Sequence, residues 1–337
     1  MIDFRSDTVT KPRPEMLEAM MNAKVGDDVF HEDPSINELE AFAADMFGME
    51  EAMFCPSGTM SNEIAVKAHT NAGDEVICEY NSHIYVYEGG GIAFNSFCQV
   101  RPIPGNRGRI KAHQVLDSIN PDDIHRAPTR LVSLENTCNR GGGSCYDWND
   151  ITEISNVCRD HHLNLHLDGA RLFNALAETE QTPRQYGSAF DSINICLSKG
   201  LGAPVGSLLL GSSAFIKKSR RIRKVWGGGM RQAGFLGAAG LFALKNNVHR
   251  LHDDHLRALK IAEALNKKSF IGEIMPVETN IIIFEVKGSY TAKSLAEKFK
   301  ENQILVIPIS ETKIRIVLHL DISPAMVNET IQFIDSL

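Results

Sequence analysis

The N-terminal two-thirds of the chain repeats one pattern. Short apolar runs at 52–55, 75–78, 131–134, 163–167, 193–197 and 205–210 alternate with helix-like stretches such as 57–69 and 148–159. An unbroken apolar run of strand length implies cover on both faces, and strands spaced by helix-length segments are free to pair in parallel through crossover helices. The pattern therefore predicts an α/β unit, a mainly parallel sheet with helices on both sides. After about Leu244 the character changes. A charged helical stretch at 247–267 leads into apolar runs at 281–286, 304–307 and 314–318, accompanied by helical patterns at 291–300 and 324–334. This reads as a smaller α+β domain, so we expect a large domain over 1–246, including an N-terminal arm, and a small one over 247–337.

Composition narrows the partners. With 337 residues, 43% of them hydrophobic and 23% charged, the chain has the make-up of a globular protein able to bury a core without staples. A net charge of -7 offers no general pull toward phosphate backbones or anionic lipid, so neither nucleic acid nor membrane is expected as a partner. No apolar run approaches the roughly 18 residues of a membrane span, and the opening MIDFRSDTVT lacks the apolar core of a secretory signal. The seven cysteines are odd in number, scattered and without a C-x-x-C pair, which argues against a disulfide framework or structural zinc. A reducing cytoplasm is the expected compartment.

Ligands of open parallel sheets gather at the carboxyl ends of the strands, where this sequence places Glu135, Asp168 and the pair Ser198-Lys199. Lys199, in SKGLGAPVG, follows a strand and is flanked by glycines that permit close approach. It can form a Schiff base, or it can be an ordinary loop lysine. Asp168, in LHLDGAR, could keep the pyridine nitrogen of pyridoxal phosphate protonated, with Arg171 reaching the ring oxygen O3′; the alternative is an Asp–Arg pair capping a helix. PSGTMSN opens a helix, where the N–H groups of Gly58 and Thr59 and the Ser57 hydroxyl can cradle a phosphate, although such turns also serve as plain caps. GGGMRQ offers Arg231 as a second phosphate contact. Neither GxGxxG nor GxxxxGK[ST] is present, against dinucleotides and nucleoside triphosphates. His83 and His125 are candidate proton carriers, each weighed against a purely structural role. His249, His252 and His255, at helical spacing among charges, read as a solvated face, and no metal is expected.

Together FRSDTVT, VGDDVF, PSGTMSN, SLENT, LHLDGARLFNA, LSKGLGAPVGSLL, GGGMRQ and LKNNV resemble the threonine aldolase family of fold type I pyridoxal phosphate enzymes, from Met1 through about Asp321. The resemblance implies cleavage of L-threonine or L-allo-threonine to glycine and acetaldehyde. It implies Lys199 as the Schiff-base lysine, Asp168 on the pyridine nitrogen, Arg171 near O3′ and the substrate, His83 stacked on the ring, and Gly58 and Thr59 on the phosphate. Ser6 and Arg315 would hold the substrate carboxylate, Arg231 would reach a phosphate across a subunit interface, and His125 matches the family's second active-site histidine. A homotetramer is implied, with a dimer as the minimum. Two positions depart from the family pattern: Phe30-His31 stand where a tyrosine and glycine are common, and Cys138 where a histidine is frequent. The nearest rival is another fold type I enzyme, an aminotransferase or one resembling serine hydroxymethyltransferase. A non-catalytic relative of the fold, acting as a binding module, is disfavoured by the presence of Lys199.

Overall fold

The computed structural model describes the whole chain, Met1–Leu337. Its strands are β1 (Ile2–Asp3), β2 (Glu51–Cys55), β3 (Glu75–Glu79), β4 (Gln99–Ile103), β5 (Thr129–Glu135), β6 (Asn164–Gly169), β7 (Ser192–Cys196), β8 (Ser207–Gly211), β9 (Ile271–Ile274), β10 (Ile281–Val286), β11 (Ile304–Leu305), β12 (Ile307–Pro308) and β13 (Lys313–Val317). Seven of them form one sheet in the order β2-β8-β7-β6-β5-β3-β4. All are parallel except β8, which runs against both of its neighbours. The chain is α/β, with a mainly parallel seven-stranded sheet and a second, antiparallel one. Consecutive residues such as Leu208, Leu209 and Leu210 are all fully buried, which is why these strands read as unbroken apolar runs.

The expected strands appear within a few residues of their apolar runs, and three more join them. β4 carries Arg101 and Pro102, is only partly buried and closes the sheet as an edge strand, so it lacks the apolar signal. β1 and β9 are two and four residues long, too short for a pattern to declare itself. Helix Gly58–His69 starts where its sequence says it should: the Ser57 hydroxyl accepts from the Met60 N–H at 3.1 Å, a cap that stabilises by about 1 kcal/mol.

The direction in which strands are added reverses beside β3, since β4 lies on one side of it and β5 on the other. A crevice opens at such a point. A second core, built on Phe284, Leu295, Phe299, Ile314 and Ile316, lies under the antiparallel sheet β12-β13-β10-β9. Ile2 and Phe4 belong to this second core, with β1 pairing in parallel with β11. The N-terminal residues then cross to the larger sheet, where Thr10 Oγ1 donates to the Lys199 carbonyl at 3.0 Å.

Candidate active site

The carboxyl edge of the larger sheet gathers the polar residues nominated from sequence. β6 ends at Asp168 and Gly169, β5 at Glu135, β3 leads to His83, and the loop between β7 and β8 carries Lys199. That loop closes tightly, with Leu197 N–H donating to the Gly206 carbonyl at 3.0 Å and Gly206 at a φ of +112°, a region that suits only glycine. A cavity of about 300 Å³ is lined by Ser57, Gly58, Thr59, His83, Asp168 and Lys199, with Asn62, Glu88 and Asn194 beside them. A larger open groove of about 950 Å³ beside Glu40 and Arg220 contains none of the candidate catalytic, cofactor- or substrate-binding residues.

Asp168 is 1% exposed, and its carboxylate accepts from Asn62 Nδ2 (3.0 Å), the Ala170 N–H (3.1 Å) and Asn194 Nδ2 (3.4 Å). All three donors are neutral, so a protonated ring nitrogen entering the cavity would gain a charge-assisted bond there. In the same cavity an added Cβ on Gly58 would lie 2.6 Å from Cys196 Sγ, so only glycine brings the backbone this close. The first-turn N–H groups of Gly58 and Thr59 have no helical acceptors and suit an anion. The Ser57 hydroxyl is already engaged in capping Met60. An amine, a carboxylate for a ring nitrogen and an anion cradle around one cavity fit pyridoxal phosphate.

His83 is held from two sides. Its backbone N–H donates to Glu135 Oε2 at 2.8 Å and its Nδ1 bonds Glu88 Oε1 at 2.9 Å, while Asn62 Nδ2 bridges to the same Glu88 oxygen at 2.9 Å. A carboxylate partner assigns the hydrogen to Nδ1 and leaves Nε2 with its lone pair. Burial pulls the imidazole down, but the Glu88 bond and the Asp168 charge outweigh it and leave His83 above the ordinary histidine value. Burial and the Asp168 charge push the Glu135 carboxyl up to about 6.

His83 and Lys199 also line a second cavity, of about 390 Å³, together with Ser6, Arg171 and Arg315. Arg171 is 6% exposed and grips the fully buried Asp7 through Nε (2.8 Å) and Nη2 (2.6 Å). Burial alone would raise the Asp7 carboxyl, yet the Arg171 charge and hydrogen bonds hold it below the usual range. Arg315 on β13 donates from Nη1 to Asn139 Oδ1 (2.8 Å) and from Nη2 to the Arg5 carbonyl (3.1 Å), but its buried Nε–H has no partner. Burial and the neighbouring Arg171 charge bring its guanidinium down to about 10. Two arginines and an unmet donor give this cavity the chemistry to accept a carboxylate.

Other nominated residues lie elsewhere. His125 sits on an exposed turn, its side chain 82% exposed and bonded to Asp123 at 2.9 Å, and Arg231 pairs with Asp27 at 2.8 Å on the surface; neither lines these cavities. Phe30 is 68% exposed on the turn Asp28–Phe30. Cys138 is buried and donates its thiol to the Glu135 carbonyl at 3.0 Å. The reading of His249, His252 and His255 as one solvated face needs correction, because His255 is 2% exposed. Asp7, Asn62, Glu88, Asn139 and Asn194 were not nominated from sequence. Asp7 stands inside FRSDTVT, and Glu88 follows His83 by five residues in an EGGG run that looks like a plain turn.

A family model described as beta-eliminating lyase matches residues 3–289. The low specificity L-threonine aldolase of Escherichia coli K12 is 44% identical over 326 residues, covering 96% of this chain and 95% of that one. Low-specificity L-threonine aldolase 1 of Arabidopsis thaliana is 42% identical over 337 residues, covering 98% and 94%. In three dimensions a threonine aldolase of Leishmania major aligns with a TM-score of 0.85 at 21% identity, over 100% of this chain and 98% of that one, a likeness of fold. With a family model spanning most of its length and relatives above 40% identity end to end, this chain belongs to the beta-eliminating lyase family and groups with its threonine aldolases.

Proposed function

We propose that this protein is a pyridoxal phosphate-dependent aldehyde-lyase that cleaves L-threonine and L-allo-threonine between Cα and Cβ, giving glycine and acetaldehyde. One observation carries the reading: a cavity suited to the cofactor and a cavity suited to an amino-acid carboxylate share a wall made of Lys199 and His83. When bound, pyridoxal phosphate supplies an aldehyde that an amine can hold and a ring that accepts the electron pair released at Cα.

Lys199 is the holding amine, and Asp168 keeps the ring nitrogen protonated. Gly58 and Thr59, with Ser57 at the same turn, hold the phosphate. Arg315, Ser6 and Arg171 fix the substrate carboxylate, and Asp7 fixes Arg171. Clamping the carboxylate would orient the bound amino acid so that Cα–Cβ is the bond presented for cleavage. A base must take the β-hydroxyl proton; His83 offers Nε2 within the shared wall, with Glu88 stabilising the charge that results. His125 is the second candidate; exposed and outside both cavities, it would have to serve a site in another copy of the chain. Arg231, also exposed, would reach a phosphate in the same way. Both support an assembly of at least a dimer, and we infer a homotetramer. The second core supports a small domain over 247–337. No helix is long and apolar enough to cross a membrane, and all seven cysteines are unpaired, which supports a cytoplasmic setting.

The test offers L-threonine, L-allo-threonine and D-threonine separately to purified protein loaded with pyridoxal phosphate and measures acetaldehyde. Aldehyde from the L substrates, lost in Lys199→Ala together with the visible absorption band, is the expected result. Keto-acid in place of aldehyde would establish aminotransfer, and strict dependence on a folate carrier would establish hydroxymethyl transfer.

A further inference from the structure

Apart from the site above, one cluster brings metal-ligating side chains together. Helix Leu172–Glu178 ends at Glu178, and helix Leu251–Asn266 presents His252 and His255 toward it. The i,i+3 spacing puts both imidazoles on one helix face. His252 Nδ1 lies 2.8 Å from Glu178 Oε1, and His255 Nδ1 meets the same oxygen in a still closer contact. Ligand atoms of the three residues all lie within 4.8 Å of one another.

The hydrogen count makes this arrangement unusual. His255 Nε2 lies 2.9 Å from Asn174 Oδ1, and a carbonyl oxygen only accepts, so Nε2 carries the hydrogen. In the neutral ring Nδ1 then has a bare lone pair, and it faces a carboxylate oxygen rather than a donor. The three atoms call for a positive centre, which either a second ring proton or a metal cation can supply. A cation satisfies all of them at once, with Asn174 acting as the outer partner that fixes the ring of His255. Two imidazoles and one carboxylate form a donor set suited to zinc and its neighbours rather than to calcium or magnesium. A cavity of about 340 Å³ adjoins the cluster, bordered by Cys145 and Glu278, and leaves room for water or a further ligand.

We propose that Glu178, His252 and His255 bind one divalent transition-metal ion of the zinc type, and that this ion is structural. Helix Leu172–Glu178 begins directly after Arg171 and shares the turn that follows Asp168. An ion at its far end ties it to helix Leu251–Asn266 and braces that turn from behind. The site is separate from Lys199 and takes no part in bond cleavage.

The experiment uses holoenzyme with pyridoxal phosphate bound, freed of metal by chelation and dialysis, then titrated with Zn²⁺ and, for its visible spectrum, Co²⁺. One ion per chain is expected to bind with micromolar affinity or better and to raise Tm by several degrees. His252→Ala is the informative variant, because that ring is half-exposed and its loss leaves the core intact. It should weaken binding at least tenfold and remove the Tm shift while retaining threonine cleavage, and Glu178→Gln should do the same. Unchanged binding in both variants would place any ion elsewhere, His83, Glu88 and Asp168 included, and would overturn the proposal. So would a parent protein that takes up no ion at millimolar Zn²⁺. Neither result would touch the assignment of the aldolase site, which aldehyde release tests separately.

Discussion

Replacing Asp7 by Asn separates charge from shape in the pair that anchors Arg171. Asp7 is fully buried, and Arg171 is 6% exposed and donates to it twice, at 2.8 and 2.6 Å. The amide keeps the volume of the carboxylate but turns an NH₂ toward one of the guanidinium donors, so one hydrogen bond is lost and the arginine charge is left buried without its counterion. Breaking such a pair by removing one partner costs about 3–5 kcal/mol. At ~2 °C per kcal/mol, suited to a chain of this size, Tm should fall by roughly 6–10 °C. Scanning calorimetry on the holoenzyme at neutral pH reads this directly. The pH dependence gives a second check. The folded-state pKa of Asp7 is depressed, so its contribution is complete above the unfolded carboxylate value and is lost as pH falls through the lower folded value. The Tm gap between parent and variant should therefore persist from neutral pH down past about 4 and close only in stronger acid. A variant melting within a degree of the parent at neutral pH would refute the reasoning, because the guanidinium would then have another counterion.

Three further perturbations follow from the same geometry. Arg315→Ala removes hydrogen bonds from a charged donor, worth about 1.5–3 kcal/mol, so KM for threonine should rise roughly 10–100-fold with kcat less affected; an unchanged KM would mean another group holds the carboxylate. Glu88→Gln removes the main influence holding His83 above its ordinary value, so the acid limb of the kcat/KM profile should move to lower pH. A fixed limb would remove His83 as the base. Gly58→Ala drives a methyl group against Cys196 Sγ and shifts the helix start, so pyridoxal phosphate should be lost faster on dialysis; retention equal to the parent would show that the turn does not hold the phosphate.

The parts of this fold that can be read from sequence are those where burial is two-sided. β6 and β7 are buried almost throughout, which gives them their apolar cores, and polar residues stand at or just past their ends, Asp168 and the pair Ser198-Lys199, marking the candidate edge. β4 escaped because an edge strand tolerates Gln99, Arg101 and Pro102. The same logic divides the site. Lys199 and Asp168 sit at strand ends, where any α/β chain concentrates its chemistry, so position alone nominates them. Asn62 and Glu88 matter only because folding brings a helix and a turn from 106 and 80 residues away in the chain (168 − 62 and 168 − 88) against one carboxylate. No local spacing encodes that meeting. His255 illustrates the reverse error: charged neighbours imply solvent, yet the residue faces inward against Asn174.

The route taken by the first ten residues has a mechanical consequence. Phe4 exchanges backbone hydrogen bonds with Leu305 and Val317 in the smaller lobe, and six residues later Thr10 is fastened to the backbone of Lys199. The segment works as a short drawstring between the lobes, with Ser6 and Asp7 strung along it. Opening the lobes would tug on both residues and on Arg171 behind them, so the proposed grip on an amino acid's carboxylate would loosen with it. Loosening the knot at Phe4 should then weaken substrate capture from outside the pocket, without altering any group that touches the substrate.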